Sequence, residues 1–384
     1  MKFDMEKSVL AEMAEKAKRI ASDSLPAEML RGVCLECSRS EQEVSMIATD
    51  LSMSVFLKGP AEVIESGRIV INARLLFDII SHAPGDVVRF WADYKKNMVR
   101  IRSQKSTYNI MFLSAKHYPR PDMPFPEDTV KISGIPGMAA KTAFAVNEDS
   151  ANRALGCICL RTHKNRIQAA ASNGSCVMLT KQDADAGEEK QFLLPGKQFL
   201  KLAAMSTDED EYSMGSIQNR VVFMKKGMMV SLETFWDVTF LDTDRVIQSV
   251  TPQYTATVEA KDMKNALDMM SVDGEIRIVN ILFGKTSVIV SCDGNVSARA
   301  ELPAKISMEM PKGGFYYSFK DSYHLFRLIH GIAQIKIDKN GVMLVRGRDE
   351  LFFQLPRRPG EQAKKPESKA KAGNKEKTAK KAAA

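Results

Sequence analysis

The sequence predicts an α+β protein made of three repeats of one unit of about 120 residues, each with two helices packed on antiparallel sheet. Three observations carry that prediction. The segments RIVINARLLFDIISHAPGDVVRF from Arg68, QFLLPGKQFLKLAAMSTDEDEYSM from Gln191 and GFYYSFKDSYHLFRLIHGIAQIKI from Gly314 share one pattern of strand, turn, amphipathic helix, turn and strand. Ile69, Phe192 and Phe315 hold the equivalent place in each, successively 123 residues apart. The polar corners ATDLS (48–52), ASNGS (171–175) and SCDGN (291–295) recur after alternating apolar runs at nearly the same interval.

Each repeat opens with a short strand and a helix, in KFDMEKSVLAEMAEKAKRI, KISGIPGMAAKTAFAV and YTATVEAKDMKNALDMMSV. In the first helix Leu10, Met13, Ala14, Ala17, Ile20 and Ala21 make one apolar stripe, with Ser8, Glu12, Glu15 and Arg19 opposite. A meander of strands follows, in GVCLECSRSEQEVSMIATDLSMSV, LGCICLRTHKNRIQAAASNGSCVML and IRIVNILFGKTSVIVSCDGNVSARAEL. The second half repeats the helix and returns to alternating strands, in MVRIRSQKSTYNIMFL, RVVFMKKGMMVSLETF and GVMLVRGRDELFFQL. Alternation implies antiparallel sheet with one face buried under helices. The breaker-rich stretches YPRPDMPFPED (118–128) and SVTPQY (249–254) separate the units, so the domains are expected at 1–126, 127–251 and 252–360. Residues 361–384, rich in Lys and Ala and without aromatics or β-branched apolar residues, read as a disordered tail.

Composition narrows the class. Of 384 residues 44% are hydrophobic and 27% charged, as in a soluble globular protein. No apolar run approaches the roughly 18–20 residues of a membrane span, and Asp4, Glu6, Lys7 and Glu12 interrupt any signal-peptide core. A cytoplasmic protein is expected. The formal charge is +8, but the last 24 residues hold eight Lys and three Glu. That leaves 47 basic and 44 acidic residues, a net +3, in 1–360. Any binding of nucleic acid by this body depends on where its charges sit.

Motifs of catalysis are scarce. GIPGMAAKT at 134–142 lacks the glycine that a phosphate-binding loop needs before its lysine, and reads as a turn into a helix. His82, His117, His163, His324 and His330 are scattered, and no HExxH or GxSxG run occurs. Cys34 and Cys37 form a lone CxxC in a strand, where an odd spacing points them to opposite faces. They read, with Cys157, Cys159, Cys176 and Cys292, as buried reduced thiols. No metal, cofactor or catalytic residue is expected. The helices say more: Arg74, Lys197 and Lys320 are again equivalent at intervals of 123, and Lys141, Lys201, Lys264 and Arg327 add further cations.

The MKF start, ATDLSMSV at 48–55, GRIVINARLLFDII at 67–80 and VRIRSQKSTYNIMFLSAKHYPRP at 99–121 resemble the β subunit of bacterial DNA polymerase III, the sliding-clamp family. ASNGS, LLPGKQFLKL, FLDTDRVI at 240–247 and FFQLPRR at 352–358 extend the resemblance, in order, over about residues 1–359. It implies three clamp domains per chain and a head-to-tail homodimer closing into a ring, helices lining the hole and sheets outside. Such a ring holds double-stranded DNA without reading its sequence, in the nucleoid-associated cytoplasm, away from any membrane. By this resemblance the DNA-facing cations are Lys16, Arg19, Arg74, Lys141, Lys197, Lys201, Lys264, Lys320 and Arg327, and the dimer interface joins Tyr108 and Ile110 to Met269 and Met270.

The resemblance further implies a groove for short apolar peptide motifs of DNA polymerase and clamp-loader subunits, lined by Leu155, Ser172, Gly174, Val177, Leu241, Arg245, Val246, Phe353, Leu355, Pro356 and Arg357. Where the family commonly shows D-G-H-R-L, this chain has Asn173-Gly174-Ser175-Cys176-Val177, and Leu241 replaces the Pro usual after Phe240. Two other readings stay open at this point. One is a monomeric architectural DNA-binding protein acting through its basic tail. The other is an enzyme built on the histidines or the Cys34/Cys37 pair.

Overall fold

The computed structural model describes residues 1–358 apart from 122, 123, 273, 294–296 and 312, and only the backbone at 185 and 186. The Lys-rich tail lies outside the described residues. The first repeat runs β1 (Lys2–Glu6), α1 (Lys7–Lys18), β2 (Gly32–Ser38), β3 (Glu43–Thr49), β4 (Met53–Pro60), β5 (Glu62–Glu65) and β6 (Gly67–Asn72). It continues with α2 (Ala73–His82), β7 (Val87–Asp93), β8 (Met98–Ser103), β9 (Ser106–Met111) and β10 (Leu113–Ser114). The second has β11 (Val130–Ile132), α3 (Ile135–Thr142), β12 (Cys157–Ser172), β13 (Cys176–Gly187) and β14 (Gln191–Pro195). After these come α4 (Gly196–Ala204), β15 (Tyr212–Ile217), β16 (Arg220–Lys225) and β17 (Met228–Glu233). FLDTDRVI then folds as the short helix α5 (Thr243–Ser249), an element outside the repeat pattern. The third has β18 (Tyr254–Glu259), α6 (Ala260–Met270), β19 (Ile278–Phe283), β20 (Ser287–Cys292), β21 (Ala298–Pro303) and β22 (Lys305–Ile306). It ends with β23 (Phe315–Ser318), α7 (Phe319–Leu328), β24 (Ile332–Ile337), β25 (Met343–Arg346) and β26 (Glu350–Gln354).

Each element follows from its residues. The α1 stripe is buried as its 3.6-residue spacing requires, while Ser8, Glu12, Glu15 and Arg19 are exposed. Asn72 caps α2 by accepting from the Leu75 N–H at 2.9 Å, and Ser318 caps α7 from the Asp321 N–H at 3.4 Å. Gly134 adopts φ +60° before α3, so the GIPG run is the turn into a helix that its glycines imply. The Thr142 hydroxyl at its end is buried and bonded to the Met138 carbonyl, 2.8 Å away. In β8 the alternation holds strictly, with Val99, Ile101 and Ser103 inside and Arg100 and Arg102 outside.

The chain forms two compact units, one of 1–249 with 344–353 and one of 250–343 with the residues from 354 onward. In the first, sheets run β5-β1-β7-β8-β9 and β10-β6-β2-β3-β4-β17-β16-β15-β11, and a third contains β14-β12-β13-β26-β25. The second unit holds β21-β20-β19-β23 and the strands β24-β18-β22. Helices pack as pairs, α1 with α2, α3 with α4 and α6 with α7. Every sheet pairing described is antiparallel, and Phe3 stacks on Phe90 inside the first repeat with centroids 4.7 Å apart.

The first polar corner sits where the sheets of the first two repeats meet. β4 pairs with β17, Met53 opposite Leu232 and Val55 opposite Val230, which fuses the first two repeats into one nine-stranded sheet. At the corner before β4, Asp50 accepts from the Met53 N–H at 2.8 Å and from Lys201 Nζ at 2.7 Å. Arg220 Nη2 donates to the Ser52 carbonyl at 3.1 Å and its Nε to Ser231 Oγ at 2.6 Å. A carboxylate here satisfies both a turn amide and a cation from the next repeat. Replacing Asp50 by Ala should destabilise the protein by about 1–3 kcal/mol, since a charged hydrogen-bonded acceptor is lost. In a double-mutant cycle with Lys201→Ala by urea unfolding, a coupling of about 0.5 kcal/mol or more is expected. Additive effects would show that the pair does not tie the repeats.

All six cysteines are buried. Cys34 packs with Ile47, Val70, Ala115 and Tyr118, whereas Cys37 donates to the Glu65 carbonyl on the other face, 3.2 Å away. Burial pushes the Cys34 and Cys157 thiols up to about 11 and Cys159 up to about 12. The thiolate is the nucleophile, so these three are inert near neutrality. At pH 8 iodoacetamide should leave them unlabelled in the folded protein and react once urea unfolds it; rapid native labelling would contradict this burial.

Candidate functional site

Helix geometry sorts the expected cations. Arg74, Lys197 and Lys320 each occupy the second residue of α2, α4 and α7, directly after a buried first residue, and all three are exposed. A cation in the first turn opposes the helix dipole at a cost of roughly 0.3–1 kcal/mol. Nothing in the local packing of the three helices requires a positive charge there. Arg74 pairs with Asp23 at 3.6 Å and with Asp78, one turn along its helix, at 3.9 Å, and is 72% exposed. Arg19, paired with Glu15 at 2.8 Å, shares with Lys197 a shallow depression of about 450 Å³ over Leu200 and Ala204. In the second unit Arg327 lies over the Tyr323 ring, Lys320 is exposed and Lys264 is half-buried.

Three cations differ from the expectation of a free, solvent-facing charge. Lys201 is drawn onto Asp50, its side chain 24% exposed. Lys141 pairs with the buried Glu350 at 2.7 Å on the wall of a polar cavity of about 790 Å³. Lys16 is held by Glu12 on its own helix with its side chain 15% exposed. Each has a carboxylate beside it. For Lys201 and Lys141 that carboxylate comes from a distant part of the chain.

The expected groove residues divide between the two units. In the first, Val177, Val246 and Phe353 line an apolar cleft together with Leu179, Thr243, Ile247 and Leu351. These last four follow from patterns in the sequence: alternation places Leu179 with Val177 on β13 and Leu351 with Phe353 on β26, and helical spacing places Thr243 and Ile247 with Val246. Gln168 Nε2 donates to Thr243 Oγ1 at 3.2 Å and Arg161 Nη1 to Asp244 at 2.7 Å, which fixes α5. Space in the cleft is only about 10 Å³, roughly one water. Leu155 touches the site where a Gly174 side chain would begin, at 3.3 Å. Gly174 has φ +88°, so only glycine fits this corner without strain. Ser172 is buried, its hydroxyl turned in to the Cys176 carbonyl at 2.9 Å, so it is a corner tie rather than a lining group. Leu241 and Arg245 are exposed on either side of the α5 start. Leu355, Pro356 and Arg357 belong to the second unit, where the Arg357 N–H donates to the Tyr316 carbonyl at 2.7 Å.

Of the strands at sheet edges, two lie at the expected dimer interface, β9 and β21. β9 is one edge of its sheet, with Tyr108 and Ile110 half-buried on its inner side. β21 is the outermost strand of the four-stranded sheet in the second unit, and α6 packs against it. Met269 is 48% exposed on α6, but Met270 is 1% exposed and belongs to the core. The cause is helical spacing: Met263, Ala266, Leu267 and Met270 make the buried stripe, and Met269 falls outside it. Among the described residues no group of three or more His, Cys, Asp or Glu is placed to hold a metal ion, and no helix is long and apolar enough to cross a membrane.

Comparison with known proteins adds to this geometry. Residues 1–123 match the family described as DNA polymerase III beta subunit, N-terminal domain. A beta sliding clamp of Staphylococcus aureus is 21% identical over 306 residues, covering 76% of this chain and 80% of that protein. The DNA polymerase sliding clamp of Bacillus subtilis superposes with a TM-score of 0.85 at 19% identity, over 93% of this chain and 99% of that one. The DNA polymerase III subunit beta of Pseudomonas aeruginosa does so at 0.85 and 16%, over 93% and 100%. The solved structures establish a shared fold, and in sequence the chain is similar to beta sliding clamps, with residues 1–123 matching the DNA polymerase III beta subunit N-terminal domain.

Proposed function

We propose that the protein is a DNA sliding clamp, a non-catalytic processivity factor that closes as a head-to-tail homodimer around duplex DNA and holds a replicative polymerase to it. The observation that carries this reading is the set of strand equivalences. β4, β13 and β21 start at Met53, Cys176 and Ala298, and β9, β17 and β26 at Ser106, Met228 and Glu350, each series at spacings of 122–123 residues. Inside the chain β4 pairs with β17, and β13 lies beside β26. The members left over are β21 and β9. Two unlike, complementary edges on one chain generate a heterologous contact, and such contacts close into rings when the rotation permits. Tyr108 and Ile110 stand where Val230 and Leu232 are fully buried in the internal joint, and Met269 flanks the other edge.

A closed ring holds DNA topologically, so modest phosphate contacts suffice and carry no sequence information. The near-neutral body agrees with this, as do cations set on one end of three equivalent helices. We read the three domains as 1–126, 127–251 and 252–360. The apolar cleft of Val177, Leu179, Val246 and Phe353 is the docking point for short apolar motifs of polymerase and clamp-loader subunits. With so little free space, a ligand side chain enters only by displacing Phe353 or Val246. A histidine and an arginine of the family's groove pattern are replaced by Ser175 and Cys176, which predicts a narrower set of motifs.

Light scattering in roughly 0.5 M salt, where the Debye length is only a few Å, should give twice the chain mass of 42.7 kDa. A persistent monomer would instead favour an architectural protein acting through its tail. Replacing Arg74, Lys197 and Lys320 together by Ala should leave the dimer intact. It should also weaken association with closed circular duplex and flatten its salt dependence by up to about 0.9 per lost phosphate contact. An unchanged slope would make the three cations ordinary surface charges.

A further inference from the structure

The outer face of β7, β8 and β9 is not needed to close a ring or to contact DNA in its hole, yet it concentrates charge. Residues 87–111 contain six Lys and Arg against one Asp, a net +5, where the whole of 1–360 carries +3. Alternation sends Val88, Phe90, Val99 and Ile101 into the core and turns Arg89, Trp91, Arg100 and Arg102 outward. Arg89 is neutralised by a bidentate pair with Asp4, its Nε 2.8 Å from Oδ1. Arg100 and Arg102 have no carboxylate in ion-pair reach among the described residues, nor do Lys95, Lys96 and Lys105 in the adjoining turns. Arg100 bonds Asn109 Oδ1 at 3.3 Å and Arg102 the Gln104 carbonyl at 3.2 Å.

In the middle of this face stands Trp91, 53% exposed. It lies directly opposite Arg100 on one side and Lys2 on the other. The Arg100 guanidinium carbon is 5.6 Å from its ring centroid. Burying a Trp is among the larger apolar gains open to a folding chain, and here the ring stays on an open sheet among cations. The arrangement sets an exposed aromatic ring between Arg100 and Lys2, with Arg89 and Asp93 next to it along its own strand.

We propose that this face binds single-stranded nucleic acid, one base stacking on Trp91 while neighbouring phosphates meet Arg100, Arg102 and the turn lysines. The charge selects a polyanion, and the exposed ring selects one with a free planar face. An unpaired base offers that face and a base within a duplex does not. The chain's own Lys-rich tail carries the wrong sign to cover the patch. The inference does not depend on ring closure, because every group in it lies on one sheet of one repeat.

The test uses the full-length chain with Trp236→Phe, a change at a side chain 80% exposed, so that Trp91 becomes the sole tryptophan. Titration with a 20-nucleotide oligothymidylate at about 50 mM salt should quench Trp91 emission saturably. The logarithm of affinity should fall against the logarithm of salt concentration with a slope near −2, about 0.7 for each of three phosphates. Adding Arg100→Ala and Arg102→Ala should lower the affinity about tenfold or more without changing the melting temperature. Absence of quenching, or equal affinity after the arginine changes, would overturn the proposal. So would equal quenching by closed circular duplex, or by a polyglutamate peptide, which would make the patch a general polyanion or acidic-protein surface. Because the readout is the fluorescence of one residue, oligonucleotide held by the tail or the helices does not register.

Discussion

An antiparallel strand at the edge of a sheet presents a row of unpaired amides and carbonyls, and the architecture of this chain depends on how those edges are resolved. Each repeat has two such edges of different kind. One lies after a polar corner, as in β4 and β13, and the other ends the repeat, as in β17 and β26. Joining the first kind to the second fuses repeats without any new element, because the pairing already needed within a sheet is continued across the joint. The corner before β4 carries polar ties across its joint. Asp50 accepts at once from its own turn and from Lys201, 151 residues further along the chain. With β4 and β13 satisfied internally, the chain is left with one edge of each kind, β21 and β9, and the proposed dimer would cover both.

The same layering decides where charge can act. Helices that bury a stripe under sheet keep their polar side and their ends for other work, and all three equivalent second-half helices begin with a buried residue followed by an exposed cation. Dipole electrostatics alone would place a carboxylate there. α7 does carry Asp321 in its first turn as well, yet Lys320 persists beside it. The recurrence is economical in charge: on the proposed reading, three positions per chain, six in a dimer, give a ring contact with phosphate without grip. A body of net +3 fits that demand better than a basic one.

Much of the fold was legible because repetition is written at constant spacing. Ile69, Phe192 and Phe315 mark one strand in each repeat, and Arg74, Lys197 and Lys320 mark one helical turn. What the sequence left hidden are pairings between distant residues. Lys201 and Lys141 read as solvent cations because nothing near them in sequence names Asp50 or Glu350 as a partner. Lys16 pairs with Glu12 one turn away, a spacing visible beforehand, but its burial depends on packing that local pattern does not encode. Met269 and Met270 are indistinguishable as a dipeptide; only the phase of α6, set by Met263, Ala266 and Leu267, sends one out and the other in. Helix α5 was also hidden, since Thr243–Ser249 is too short for periodicity to separate from a loop.

That helix explains why one joint offers an apolar cleft and the other does not. By strand position Val177 and Phe353 in the second joint correspond to Ser54 and Ser231 in the first. Both serines are fully buried and satisfied, Ser54 with Thr49 Oγ1 at 2.8 Å and Ser231 with Arg220 Nε at 2.6 Å. A buried hydroxyl pair held by an arginine makes a closed polar seam, because opening it would strand several partners at once. Val177 and Phe353 make no such demand. Dispersion contacts among apolar side chains can be exchanged for those of a ligand at little cost, provided something covers them meanwhile. α5 is that cover, pinned at Thr243 by Gln168 and at Asp244 by Arg161 while its Val246 and Ile247 face the cleft. Two joints of like topology thus differ through two pairs of side chains and one added helix of seven residues. The polar joint ties two repeats together, and the apolar one is left able to receive a partner.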